Sequence, residues 1–459
     1  MTPAPRRMRF SDRFRRLPLG LFLASAAGVL LWIGPRAVSR PQPPDTVTVA
    51  REALRLAARQ EETNRPSASA PVVRTGLEVL QQQEFAPLRG KRIGLITNPT
   101  GVAPDLRTTI DILAHAPGVQ LVALYGPEHG VRGDAGAGDS VESGKDPETG
   151  LPAYSLYGKT RKPTPAMLRG VEALVFDIQD IGARSYTYIS TLGYAMEAAA
   201  ENHLPFFVLD RPNPLGGARI EGNIPSEAFR SFVGRYPIPY RHGLTVGELA
   251  RMINGEGWLP HGLRCNLTVI PMQGWRREML WAQTGLPWVP TSPHIPRPDT
   301  PLFYVATGIL GELPALNIGV GYTLPFELAG APGLSPVKFA AELNRRNLPG
   351  VTFRPLFFTP FYAGYKGQNC GGVQVYFTDP GRAELARLNF EIMDAARCLD
   401  PKLVFFPDAQ HARMFDLVCG TDTVRKQFQA GRAASEIWRA WNADSAAFRA
   451  RCQPYRLYP

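Results

Sequence analysis

At 459 residues the chain is too long for one ordinary domain and points to two or three. With 44% hydrophobic and 20% charged residues it can bury a substantial core, which excludes disorder as its default state. Its net charge of +11 is concentrated at the start, where residues 1–40 hold eight Arg against one acid, Asp12; the charge therefore gives little ground for nucleic-acid binding, and no nucleic-acid partner is expected.

Residues 1–40 read as a signal peptide or membrane anchor. RRMRFSDRFRR precedes LPLGLFLASAAGVLLWIG, an uncharged run over 17–34. A basic flank before an apolar core is the layout of an export signal, and positive charge stays on the cytoplasmic side. The run is at the short limit for spanning a bilayer, and Ala37-Val38-Ser39 offers a small-x-small cleavage site. A cleaved signal and an uncleaved inner-membrane anchor both stay open. The expected location is periplasmic or extracellular, with the membrane touched only through this segment. No Cys lies near its end, which argues against a lipid-modified N-terminus. Residues 41–72 read as a flexible linker with a short helix over 46–62.

From 73 onward strand and helix signals alternate. KRIGLITN (91–98), VQLVALYG (119–126), EALVFDIQD (172–180) and LPFFVLDRPNP (204–214) are near-continuous apolar strands. Helices are expected over 105–116 and 187–203, the second on the helical spacing of Ile189, Leu192, Met196 and Ala199. This pattern implies an α/β fold: a Rossmann-like parallel sheet domain over 73–300, covered on both faces. Within it Thr245-x-x-Glu248 is a capping box opening a helix, so Glu248 has a structural task. Residues 265–300, rich in Trp and Pro, look like a groove wall or domain junction. A second, smaller, mixed α+β C-terminal domain over 301–459 completes the cleft. It has strands at VTFRPLFF and GGVQVYFTD and helices at PVKFAAELNRRN, RAELARLNFEIMDAARCL, DTVRKQFQAG and ASEIWRAWNADSAAFRA.

Each strand of the first domain ends on polar residues: Asn98, then Glu128-His129 in YGPEHGVRGD, then Asp177 and Asp180, then Asp210, Arg211 and Asn213. In open α/β sheets ligands bind outside the carboxyl ends of the strands. TNPTGVAPD after the first strand is not G-x-G-x-x-G, which argues against a dinucleotide site. Glu128, His129, Asp177, Asp180 and His242 are metal-ligating types, yet there is no H-x-H or H-E-x-x-H, and adjacent Glu and His point differently on an extended loop. No metal or other cofactor is expected. The five Cys (265, 370, 398, 419, 452) form no C-x-x-C pair; an exported chain could join them in one or two disulfides.

Cleavage of a glycosidic bond needs a carboxyl group of raised pKa and a second group across the sugar. Glu128, ending an apolar strand near Asp177 or Asp180, meets the first requirement. Arg184, Tyr186 and Tyr188, in DIGARSYTY, offer a cation, phenols and a stacking surface for a sugar that carries a carboxylate.

Taken together GLITNPTG, YGPEHGVRG, TGLPAYSLYG, LVFDIQDIGARSYTYISTLGYAMEAA, VLDRPNPLGG, SFVGRYPIPYRHGLTVGELA, TGLPWVPTSPHIP, PFELAGAP and the terminal YRLYP resemble the exo-β-N-acetylmuramidase family, long known only as a bacterial domain of unknown function. The resemblance runs from about Val73 to the C-terminus. It implies a Rossmann-like catalytic domain and a C-terminal domain with the active site between them. It implies removal of non-reducing-end N-acetylmuramic acid from peptidoglycan-derived muropeptides or disaccharides, with Glu128 as the main catalytic carboxylate. The residue reading agrees: Glu128 as general acid, His129 and Arg132 holding it, and Arg184 or Tyr186 meeting the substrate; if the 2-acetamido group of the sugar serves as internal nucleophile, Asp177 or Asp180 would orient it. One departure stands out. In GELPALNIGVGYTLPFE, Ile318 and Val320 occupy positions where the family carries a Glu and an Arg, and SPHIP has His294 for an Asn. Loss of turnover in a muropeptide-binding protein, or an altered sugar specificity, are the alternatives this departure opens.

Overall fold

The computed structural model describes residues 73–133 and 143–459; the 17–34 run, the linker and its expected helix lie outside them. In chain order the first part contains α1 (Gly76–Gln82), β1 (Arg92–Thr97), α2 (Thr109–Ala114), β2 (Gln120–Gly126), β3 (Gly144–Lys145), β4 (Pro152–Ser155), β5 (Ala173–Asp177), α3 (Tyr188–Glu201), β6 (Pro205–Leu209), α4 (Val246–Gly255) and β7 (Asn266–Ile270). The strands form one sheet in the order β3-β4-β2-β1-β5-β6-β7, parallel except for β3.

Alternate side chains along each strand enter opposite layers. Leu174 and Phe176, with Phe206 and Val208, pack against Leu192 and Met196 of α3 and Leu249 of α4. Val175, Phe207 and Leu209 face Leu77 and Leu80 of α1 and Leu113 of α2. Both faces are dry, which is why these strands read as continuous apolar runs. Helix α4 opens with the Thr245–Glu248 capping box, and Glu248 also accepts from the Leu457 amide at 2.8 Å and from Arg277.

The chain leaves β1 outward to β2 and β4, then returns to β5 on the other side of β1. That reversal opens a crevice at the carboxyl ends of the central strands. Strand β7 was expected as part of an irregular wall. Its first four residues alternate between exposed and half-buried at the sheet edge and Ile270 alone is buried, so no apolar run marked it among the surrounding Trp and Pro.

The remaining chain forms α5 (Thr300–Thr307), β8 (Leu328–Pro332), α6 (Pro336–Arg345), β9 (Val351–Phe358), β10 (Cys370–Phe377), α7 (Arg387–Leu399), α8 (Ala409–Cys419), α9 (Thr423–Gln429), α10 (Ala434–Trp441) and α11 (Ser445–Arg451). A three-stranded antiparallel sheet, β8-β10-β9, sits in this part. The sequence reading lacked β8, whose LAGAP carries no strong apolar signal, and the helices α5 and α8. It also ran one helix through what are α10 and α11.

The two parts share cores. Ile181, Ala183, Leu215 and Tyr240 belong to the apolar cluster built on the second sheet, while Phe448 and Cys452 pack into the cluster over α3 and α4. All five cysteines are unpaired, so the disulfides considered from sequence do not form here. Among the described residues no helix is long and apolar enough to cross a membrane.

Candidate active site

The loop after β2 turns back sharply. A Cβ on Gly126 would lie 2.7 Å from the Val131 amide nitrogen, so only glycine lets the chain fold onto itself there. His129 then adopts a left-handed φ of +73°, uncommon for a residue with a side chain. This reversal leaves Glu128 half-buried at the crevice and His129 buried. The Thr187 hydroxyl, at the start of α3, donates to Glu128 Oε2 at 3.2 Å. The Tyr157 phenol, just past β4, also bonds to Glu128; burial first, then the Glu128 charge and this bond, raise its pKa.

A cleft of about 170 Å³ opens over this carboxylate. Residues 185–188 form one side, Ser292 and His294 a second, and Tyr304 of α5 with Phe326 a third. The aromatic wall is ordered edge to face: Tyr186 meets Tyr188 at 5.0 Å and Tyr304 at 5.8 Å between ring centres. The Tyr186 hydroxyl lies 2.7 Å from Thr291 Oγ1, and Tyr188 donates to the Thr291 carbonyl. The buried Asn98 side chain lies near Tyr188, and its Oδ1 accepts from the Thr100 amide at 3.0 Å. Glu128, His129, Tyr186 and Tyr188 are thus brought together, with Asn98 directly behind.

The other expected site residues stand apart from this cleft. Asp177 is fully buried in a fork with Arg211, 2.5 and 2.9 Å, and takes a further bond from Thr109 at 2.5 Å. This unit ties β5 to α2 and to the segment after β6. Asp210 accepts from Gly247 N at 2.8 Å, Thr245 Oγ1 at 2.7 Å and Tyr458 at 2.5 Å, closing the start of α4; burial raises its pKa to about 6. Asn213 bridges the Leu215 amide and the Leu244 carbonyl. Arg132 pairs with Asp146 at 2.8 and 2.9 Å, holding the loop rather than Glu128 itself.

Arg184 was expected to meet a substrate carboxylate. Instead its buried guanidinium donates to the carbonyls of Asn223, Ile238 and Val418 at 2.6, 3.0 and 3.0 Å. Asp180 accepts from the Gly182 amide at 2.6 Å, and burial lifts its carboxyl to about 7. His242 Nε2 is 4.0 Å from it. Burial, then Arg184, lower that imidazole to about 3; Nδ1 accepts from Leu244 N, so the proton of the neutral ring sits on Nε2, facing Asp180.

A second chamber of about 370 Å³ adjoins the cleft through Tyr304 and Phe326. Glu312, Ile318 and Val320 line it, and Ile318 is integrated in the apolar core. Val320 is half-buried and packs against the same core. Tyr157, Thr187, Thr291, Ser292, Tyr304 and Phe326 were not assigned from sequence, although all but Tyr304 lie inside the blocks that carry the family resemblance. Among the described residues no three His, Cys, Asp or Glu side chains converge to hold a metal.

Comparison with known proteins agrees with this architecture. The family descriptions exo-beta-N-acetylmuramidase NamZ, N-terminal, and exo-beta-N-acetylmuramidase NamZ, C-terminal, match residues 93–299 and 302–458. The peptidoglycan beta-N-acetylmuramidase NamZ of Bacillus subtilis (strain 168) is 44% identical over 405 residues, covering 88% of this chain and 96% of that protein. The crystal structures of two DUF1343 family proteins from Bacteroides fragilis NCTC 9343 are similar over 84% of this chain and 99% of theirs, one at 52% identity with a TM-score of 0.81, the other at 31% and 0.68. With both halves matched and the relatives covered almost end to end, the chain belongs to the exo-β-N-acetylmuramidase NamZ family.

Proposed function

We propose that the protein is an exo-acting glycosidase that releases non-reducing-end N-acetylmuramic acid from peptidoglycan fragments, with Glu128 as its general acid. The observation that carries this reading is the position of Glu128. It is a half-buried carboxylate at the carboxyl end of a central strand, held by Thr187 and Tyr157 beneath an aromatic cleft. Two donors fix its direction, and the tyrosine wall offers faces and edges to a sugar ring. Membership of a family whose curated relative is a peptidoglycan beta-N-acetylmuramidase supports the reaction class. The Arg-flanked run over 17–34 supports delivery outside the cytoplasm, where such fragments arise.

The test is product release from a chromogenic β-N-acetylmuraminide by the full chain and by Glu128→Gln. The parent is expected to turn over, and the variant to lose about 10²- to 10⁴-fold, the usual worth of a positioned acid. Unchanged turnover in Glu128→Gln would remove the acid from this position. A folded parent that binds muropeptide without cleaving it would establish the binding-protein reading instead.

A further inference from the structure

The loop between β9 and β10 holds two large aromatic side chains in solvent: Phe361 is 64% exposed and Tyr362 49%. Neither ring is free to swing. Phe361 lies nearly parallel to Tyr322, 5.8 Å between centres and 25° between planes. Tyr362 lies nearly parallel to the His294 imidazole at 6.0 Å and 24°, and its hydroxyl is 2.9 Å from His294 Nε2. The backbone beneath is latched. The Phe361 amide donates to the Gly321 carbonyl at 2.6 Å, and the Asn317 side chain donates to the Gly364 carbonyl at 2.8 Å. Gly321, at φ +90°, passes so close that a Cβ would sit 1.9 Å from the Tyr362 carbonyl oxygen. Exposed aromatic area that is pinned in place has already met the ordering cost that binding would otherwise impose.

His294 links these rings to the chemistry, because it also lines the Glu128 cleft. Burial, then the neighbouring His129, lower the pKa of this imidazole, favouring an uncharged ring that stacks rather than a cation that draws in water. An aromatic surface thus continues from Tyr186 and Tyr304 inside the cleft, through His294 at its side, to Tyr362 outside.

We propose that Tyr362 and Phe361, backed by His294 and Tyr322, form a stacking platform for the sugar rings of the glycan that extend out of the Glu128 cleft. This inference rests on the exo-acting reading: an enzyme that encloses only the terminal sugar must let the remaining chain leave across an open rim. Pyranose rings present C–H faces to which flat aromatic rings are complementary, whatever substituents the sugars carry. The platform therefore sets preference for chain length, while the cleft sets the identity of the terminal sugar.

The experiment compares full-length parent, Tyr362→Ala and Phe361→Ala on a chromogenic β-N-acetylmuraminide and on a muramyl-terminated tetrasaccharide. The alanine variants are expected to raise KM for the tetrasaccharide about tenfold, and to leave kcat/KM for the small substrate within about twofold. Tyr362→Phe, which keeps the ring and loses the bond to His294, should retain most of the tetrasaccharide affinity. Equal losses on both substrates, or no loss on either, would overturn the platform. Should the parent cleave neither substrate, the exo-acting reading fails first. Calorimetric binding of the tetrasaccharide then reads the platform alone: about tenfold weaker binding by Tyr362→Ala upholds it as a glycan-binding surface, and unchanged binding overturns it.

Discussion

Arg184 and Asp180 show how one short stretch, DIQDIGARSYTY, divides between chemistry and construction. Tyr186 and Tyr188 enter the cleft, while Arg184 holds three carbonyls from segments far apart in sequence. A lysine, with one point charge, does not satisfy all three with the same planar geometry. Arg184→Lys is therefore expected to lower the melting temperature while KM of the surviving enzyme stays within about twofold. A raised KM with an unchanged melting temperature would put this guanidinium on the substrate. Asp180 makes a prediction in pH. Its folded pKa of about 7 lies above its ordinary 3.8 because burial disfavours the charge. The folded state then holds a proton that the unfolded state releases between those values. The stabilisation is complete below about pH 4 and is lost as pH rises through 7, at no more than about 1.4 kcal/mol per pH unit for one proton. Asp180→Asn should remove that slope, so the melting-temperature difference between variant and parent grows from pH 4 to 7 and then levels. A parallel pair of curves would mean that Asp180 does not titrate in this window.

At the scale of elements, the C-terminal segment acts as a strap. After α11 the chain returns to the first sheet, where the Tyr458 hydroxyl donates to Asp210 and accepts from the Met272 amide at 2.9 Å, beside the start of α4. Tyr458→Phe leaves Asp210 with Thr245 and Gly247 but takes away a bond to its charged form. A loss of about 1.5–3 kcal/mol is expected where Asp210 is ionised, hence larger at pH 8 than at pH 5 because this carboxyl titrates near 6. Urea unfolding at the two pH values measures it. Strands β1, β2, β5 and β6 and helices α2 to α4 were legible in sequence because both faces of that part of the sheet are buried and every apolar residue there has a layer to enter, whereas α1 and the short, more exposed β3 and β4 were not. β7 and β8 were not: one is a half-exposed edge, the other is built of small residues that let β10 approach closely.

For the whole molecule, the shared cores predict cooperativity. Residues of the first part complete the apolar cluster of the second, and the terminal helix completes that of the first. Heating should give one calorimetric transition for the described unit, with calorimetric and van't Hoff enthalpies in agreement. Two separated transitions would mean that the halves fold independently. The same interlocking explains the site. Glu128, Thr187 and Tyr304 come from the ends of β2, of the β5–α3 connection and from α5, so the cleft exists only when both parts are packed.

By itself the sequence determined the parallel α/β framework and the polar strand ends at its crevice, Glu128 among them, since apolar periodicity and glycine-rich turns are local properties that survive in one dimension. Only the tertiary structure decided which polar residues at those strand ends face the cleft. Asp177, Arg184 and Asp210 carry the same charged groups as catalytic residues, but a buried charge must find partners, and theirs come from Arg211, from three distant carbonyls and from Tyr458. Such partners are brought near by folding, not by spacing along the chain. The same holds for Tyr157, Tyr304 and His294, which gain their place beside Glu128 from segments that no local pattern connects.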